Sequence, residues 1–319
     1  MYEELQALDS IRINFSENGL LALNITLGII MFGVALGIRL SKFKTIFLKK
    51  PKMILVGLLS QFVALPAFTF LLTIILRDYI TTGIALGMIL VAAAPGGNIS
   101  NFISSLAKGS VELSISLTAI ATLGAVVLTP FNFAFWGGLY IKYADRIDGS
   151  ALLRNIEIDN GQMFQSVFIL LGIPLILGML FAWKLPKLTE KIKKPIQNIS
   201  VGIFMLFVII AFIKNFDIFV LYIKWITVIV LIHNGLALLT GFSVASAFGI
   251  KRRERRSITI ETGIQNSGLA LVLLFNPAIF PDSLPLGGMM FIAAWWGIWH
   301  MISGLGLSFL LSKVPLKHF

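Results

Sequence analysis

The sequence predicts an all-α membrane protein of nine transmembrane helices, arranged as two inverted-topology repeats with a pair of crossing broken helices. Three observations carry this. Only 13% of the 319 residues are charged while 57% are hydrophobic, about half the charge that a water-facing surface needs. The apolar residues fall into nine runs, each about long enough for a ~30 Å hydrocarbon core at 1.5 Å per residue. Two of those runs carry helix breakers and polar residues in their middle.

The runs span about 19–40, 53–76, 81–107, 111–136, 163–183, 196–213, 219–249, 257–275 and 287–312. Positive charge follows every second one. Arg39, Lys42, Lys44, Lys49, Lys50 and Lys52 follow the first, Lys108 the third, and Lys184, Lys187, Lys191, Lys193 and Lys194 the fifth. Lys251, Arg252, Arg253, Arg255 and Arg256 follow the seventh, and Lys313 and Lys317 the ninth. These are 19 of the 26 lysines and arginines. The positive-inside rule then places the N-terminus outside and the C-terminus in the cytoplasm of a cell (inner) membrane. The net charge of +11 therefore punctuates helices. It does not form the single basic face that nucleic acid requires. The acidic opening MYEELQALDS lacks a charged-then-apolar signal pattern, and residues 137–161 read as a solvated outer connector. Cysteine is absent, which excludes disulfides and thiolate metal sites.

The third run breaks at Pro95-Gly96-Gly97 and the eighth at Glu261-Thr262-Gly263-Ile264-Gln265-Asn266. Grouping runs one to four and six to nine puts a break in the third member of each set. The sets run in opposite directions, the inverted repeat of secondary transporters. Lipid tolerates no unpaired backbone polar group. A break at depth is tolerable where its freed carbonyls meet a cation and its half-helix N–H groups meet an anion.

Glu261 is the one carboxylate set in from the end of a run, and a buried carboxylate costs at least ~2.5–3.5 kcal/mol unless paired. No lysine or arginine lies deep in a neighbouring run. A bound cation would supply the charge, the alternatives being a protonated acid or a reach toward Arg255 or Arg256. Gln265 lies one turn on, and Ser114 and Thr118, four apart, share a helix face. Hard cations such as sodium want several oxygen ligands. Ser100, Asn101, Ser114, Thr118 and Glu261 would make one such cage. Gln61, Glu261 and Gln265 with the carbonyls of Thr262 and Ile264 would make a second. His233 and His300 have no metal-ligand spacing and read first as helix-packing hydrogen bonders. No Ser-His-Asp, HExxH or cysteine nucleophile arrangement is visible, so the chain does not read as an enzyme.

PGGNISN (95–101), LAKGSVELSISLTAIATL (106–123) and TIETGIQNSGLA (259–270), with QFVALPAF (61–68), HNG (233–235) and MFGVALGI (31–38), run in family order along almost the whole chain. In these the sequence resembles the bile acid:sodium symporter family. The resemblance implies a single transporter domain over 1–319, with a core from about 53–136 and 219–312 and a panel from about 19–40 and 163–213. It also implies two co-transported sodium ions in the two oxygen cages. A bile acid or related amphipathic organic anion would sit between core and panel, touched by Asn98, Asn266 and His300. Met301 departs from the bacterial pattern, which often has Asn there. The function expected is sodium-coupled symport by alternating access, with proton coupling through Glu261 as the alternative. Neither nucleic acid nor an obligate protein partner is expected.

Overall fold

The computed structural model describes residues 1–11, 17–38, 50–97, 99–148, 160–214, 216–276, 279–280, 284 and 286–315. Every regular element among them is helical. A short helix α1 (Tyr2–Asp9) precedes α2 (Glu17–Ala35). Then come α3 (Pro51–Ile75), α4 (Thr82–Ala93) and α5 (Ile99–Leu106). Helix α6 starts as Val111–Asn132 and continues through Phe133–Gly137 into Gly138–Asp148. Helix α7 comprises Asn160–Val167, Phe168–Gly172 and Ile173–Lys184. Helices α8 (Pro186–Lys214), α9 (Phe216–Ala247), α10 (Arg252–Gly263), α11 (Ser267–Leu274) and α12 (Gly287–Lys313) complete the chain.

Among the described residues five helices are long and apolar enough to cross a membrane, namely Pro51–Ile75, Val111–Ala144, Gly161–Lys184, Val220–Ala247 and Gly287–Lys313. The interrupted pairs α4/α5 and α10/α11 fall in the third and eighth apolar runs. Arg39, Lys42, Lys44, Lys49 and Lys317 lie outside the described residues.

The exterior is apolar. Leu55, Leu59 and Val63 stand exposed at helical spacing on α3, as do Ile302, Leu305 and Phe309 on α12, which suits a hydrocarbon solvent. The centre belongs to the broken helices. Every residue of α4 from Ile84 to Ala93 is buried, and so are Ser257–Gly263 of α10. Helix α4 lies so close to α12 that a Cβ at Gly87 would sit 2.8 Å from the Met289 Cα. Helix α2 packs on α7 and α8, whereas α9 packs on α10 and α12.

Two segments differ from the sequence expectation. The solvated connector predicted from residue 137 is helical as far as Asp148. Its Tyr140 and Ala144, four apart, are buried, so one face of GLYIKYADRID is held by packing that a charge-based reading overlooks. Helix α8 starts ten residues before its apolar run. Only Leu185 separates it from α7, and the lysine-rich stretch between is amphipathic helix.

Among the described residues three helices contain a wide π turn, at Ser60–Ala64, Phe133–Gly137 and Phe168–Gly172. Two of these end just before a proline. The Leu65 N–H reaches back to the Ser60 carbonyl and the Ile173 N–H to that of Phe168. The following residues, Pro66 and Pro174, have no N–H and a ring that would strike the carbonyl four residues back. Widening the turn relieves that clash while the helix continues.

Candidate functional site

The two breaks touch. The Asn266 N–H donates to the Ala94 carbonyl at 3.1 Å. A Cβ at Gly96 would fall 2.5 Å from the Ile264 carbonyl oxygen and 2.9 Å from that of Glu261, so only glycine lets the first break nest in the second. Beyond the first break, the Ser100 N–H donates to the Gly97 carbonyl at 3.1 Å, and Ser100 Oγ lies 2.7 Å from the same oxygen. Beyond the second, Asn266 caps α11 by accepting from the Leu269 N–H at 3.0 Å, the N-cap role for which this side chain is suited.

The carbonyls at the end of α10 are met by amide side chains. Gln265 Nε2 donates to the Thr262 carbonyl at 2.7 Å, and Asn234 Nδ2 to that of Gly263 at 2.8 Å. Asn234 Oδ1 in turn accepts from Ser303 Oγ of α12 at 2.5 Å. Asn234 therefore ties the second break to α9 and α12. Sequence reasoning met it only within HNG (233–235) and gave it no role. Its signal was a lone buried amide in the middle of a long apolar helix, where polar side chains serve as interhelical glue.

Glu261 is completely buried. Its carboxylate accepts from Ser100 Oγ at 2.7 Å, from Thr118 Oγ1 at 3.0 and 3.1 Å, and from Ser114 Oγ. Asn101 Oδ1 stands 3.2 Å from the Thr118 hydroxyl. All five residues expected of the first cage thus come together, from α5, α6 and α10. Ser104, which the sequence did not single out, joins them through Ser114 Oγ at 3.2 Å. Among the described residues no lysine or arginine pairs with Glu261. Arg255 donates to Ser246 Oγ at 3.1 Å. The Arg256 guanidinium donates to the carbonyls of Ala107 at 2.9 Å and Val314 at 2.7 Å. The reach of Glu261 toward these arginines is not what the structure shows.

Of the second cage, Glu261, Thr262, Ile264 and Gln265 are joined by the break itself. Gln61 stands on the π turn, which packs against α10. The Gln61 amide is buried, and neither its nitrogen nor its oxygen has a hydrogen-bond partner; Gln265 Oε1, Ser60 Oγ and Thr259 Oγ1 are equally unpartnered. A buried orphan amide costs about 1–3 kcal/mol, and the Gln61 and Gln265 amide oxygens here are acceptors that a positively charged ligand would satisfy. The π turn adds to this. With Leu65 bonded to Ser60 and no N–H on Pro66, the Gln61 main-chain carbonyl has lost both helical donors. The Gln-x4-Pro spacing carries that signal. The Thr262 hydroxyl donates to the Ile258 carbonyl at 2.8 Å, leaving its carbonyl, not its side chain, for the cage. The donor set of both cages is oxygen throughout, which fits a hard cation. Among the described residues no group of three histidine or acidic side chains is placed to hold a metal.

A cavity of about 180 Å³ opens beside the breaks. Leu27, Met31 and Val34 of α2 form one wall, and Gly97, Asn266 and His300 are among the residues of the other. Two of the three expected substrate contacts therefore line one space, while Asn98 lies outside the described residues. His300 is buried with an unpartnered Nδ1, and Met301 lines the same cavity. His233 is a packing residue, hydrogen-bonded through Nε2 to Thr69 Oγ1 at 2.9 Å with its ring 4.5 Å from that of Trp296.

Several known proteins that this chain is similar to are named as transporters. The hepatic sodium/bile acid cotransporter of Rattus norvegicus is 27% identical over 87% of this chain and 72% of its own length. The sodium-dependent transporter YocS of Bacillus subtilis is 29% identical over 92% of this chain and 84% of its own. The human P3 protein is 28% identical over 82% of this chain, which spans about half of it. The signature of the sodium bile acid symporter family matches residues 24–221, which takes in the first break and most of the oxygen donors around Glu261. The second break lies beyond the match yet docks on the first. By this match, and with a multi-pass helical architecture to hold the site, the chain belongs to the sodium bile acid symporter family, a family of sodium-dependent transporters and not of enzymes.

Proposed function

We propose that the protein is a secondary active symporter that couples sodium to the uptake of a bile acid or related amphipathic organic anion by alternating access. The observation that carries this is Glu261, fully buried and surrounded by hydroxyls with no cationic side chain on it. Each hydroxyl can turn its proton away and offer a lone pair inward. One sodium ion would then sit among Ser100, Asn101, Ser114, Thr118 and Glu261. A second would sit among Gln61, Glu261, Gln265 and the carbonyls of Thr262 and Ile264. Two cations on one carboxylate leave a net positive charge, which a monovalent anion at Asn98, Asn266 and His300 would offset.

The architecture behind this reading is nine spans in two inverted repeats whose broken helices cross. The core covers about 53–136 and 219–312, and the panel about 19–40 and 163–213. The packing of α2 on α7 and α8 supports a separate panel, and the cavity between α2 and the breaks suits a site at the panel–core seam. The N-terminus would face outside and the C-terminus the cytoplasm of the cell (inner) membrane. Coupling requires sodium to bind the substrate-competent state better than the other.

Proton coupling is the second reading, because a hydroxyl-lined Glu261 also suits a protonated acid. A thermal-shift titration separates the two. With taurocholate as probe, sodium but not potassium is expected to stabilise the protein, and the Glu261→Gln variant is expected to fold and to lose that response. A full sodium response in the variant overturns the cages. Stabilisation that follows pH and ignores sodium favours the proton.

A further inference from the structure

Helix α1 is keyed into one end of the helix bundle, opposite the lysine clusters. Its Leu5 and Leu8 are fully buried, and it packs on α4, α9 and α12. Asp9 Oδ2 accepts from the Gly83 N–H at the start of α4, at 3.0 Å. At Gly83 and Gly288 a Cβ would collide with the Asp9 carboxylate, and at Gly287 with the Leu8 carbonyl. Three glycines thus make room for α1 at the first turns of α4 and α12, where a carboxylate also meets the positive ends of two helix dipoles. Glu4 fixes the other end, accepting from Trp225 Nε1 and pairing with Lys224 at 3.6 Å.

The chain then leaves these helices. Residues 10–16 lead from α1 to α2, which packs chiefly on α7 and α8 and only lightly on α11. A segment docked on one group of helices and continuous with the other is a tether across the seam between them. We propose that α1 is a latch and Asp9 its catch: docked, it ties α2 to the ends of α4, α9 and α12 and holds the outer mouth closed, and released, it lets α2 swing away. This rests on the alternating-access reading and on the orientation given above.

The catch responds to acid. Burial pushes the Asp9 carboxyl up from an ordinary 3.8 to about 6, opposed by the nearby Thr81 hydroxyl, the hydrogen bond from the Gly83 N–H and the neighbouring Gly288 N–H, while Oδ1 is left without a hydrogen-bond partner. Among the described residues few other charges face it. On α1 there are Glu3, Glu4 and the Met1 amino group, Glu4 being held by Lys224 of α9, and Asp217 lies two turns before Lys224 on that helix. Before α4, Arg77 is paired with Asp78 and donates to Tyr143. Helix α4 has no charged residue and α12 none before Lys313, and Arg12 stands three positions along the chain. The docked carboxyl binds its proton more tightly than the released one, so docking takes up a proton and strengthens as pH falls. Between pH 7.5 and pH 5 the released-to-docked ratio falls by about tenfold.

The cysteine-free chain permits a direct test with paired spin labels at Ser10→Cys and Tyr79→Cys, both exposed positions, in the full-length protein in liposomes. The released population is expected to shrink on acidification, and Asp9→Asn to abolish the pH response while leaving α1 docked. A distance distribution that does not move with pH in the Asp9 protein, or a pH response that survives Asp9→Asn, overturns the latch. The same measurement on a Glu261→Gln background keeps the pH response if only the sodium cages are wrong, so the two readings fail separately.

Discussion

The N–H of Asn266 donates to the carbonyl of Ala94 at 3.1 Å, so the residue that caps the second half-helix also closes the end of the first. The two breaks are one structure, and a change in either is felt in both. Gly96 is where this can be probed most sharply. Its absent Cβ would lie 2.5 Å from the Ile264 carbonyl oxygen, against backbone that cannot move cheaply. Gly96→Ala is expected to destabilise the protein by about 1–3 kcal/mol, the usual cost of overpacking, and to weaken sodium stabilisation together with it. A melting temperature equal to that of the parent would show that the breaks do not nest.

Ser114 and Thr118 each touch the Glu261 carboxylate from α6. Thr118→Val keeps the shape and removes one oxygen. If that oxygen is a sodium ligand, the sodium concentration giving half-maximal thermal stabilisation should rise about tenfold or more, the equivalent of about 1.4 kcal/mol. Stability without sodium should fall less, because the carboxylate keeps its serine partners. An unchanged sodium midpoint would remove Thr118 from the cage.

Gln61 makes the opposite prediction for the sodium-free protein. Its amide is buried and unpartnered, so Gln61→Leu should raise sodium-free stability by about 1–3 kcal/mol, the desolvation cost of an orphaned polar group. The same change should abolish part of the stabilisation that sodium gives. A variant that is less stable in potassium buffer would mean that the amide already has a partner.

Asn234 joins the Gly263 carbonyl to Ser303. Asn234→Ala leaves both without that partner and opens a cavity, so a loss of about 2–4 kcal/mol is expected. Asn234→Leu isolates the hydrogen bonds from the cavity. It keeps the volume and loses both partners, and it should cost less than alanine. Calorimetry or chemical denaturation of both variants in sodium-free buffer reads the difference.

The apolar runs made most of this fold legible, since hydrocarbon length and helix rise leave little freedom in where a span begins and ends. What escaped was helix without a continuous apolar run. Tyr140 and Ala144, and the lysine-rich start of α8, belong to amphipathic stretches whose order comes from packing. Helix α1 is too short to be stable alone, and only the i, i+3 pair of Leu5 and Leu8 hinted at its docked face. At the site, the hydroxyls of Ser114 and Thr118 could be placed because helical spacing puts them on one side. The Gln61 carbonyl could not, because a π turn shifts the register by one residue. Asn234 could not, because its partners lie 29 and 69 positions away.

Arg256 spends its charge on two main-chain oxygens, at the ends of α5 and α12. That rivet pins the base of α10 to two other helices at one end of the bundle, whereas α2 leans chiefly on α7 and α8. Any motion of α10 at this end therefore carries α5 and α12 with it.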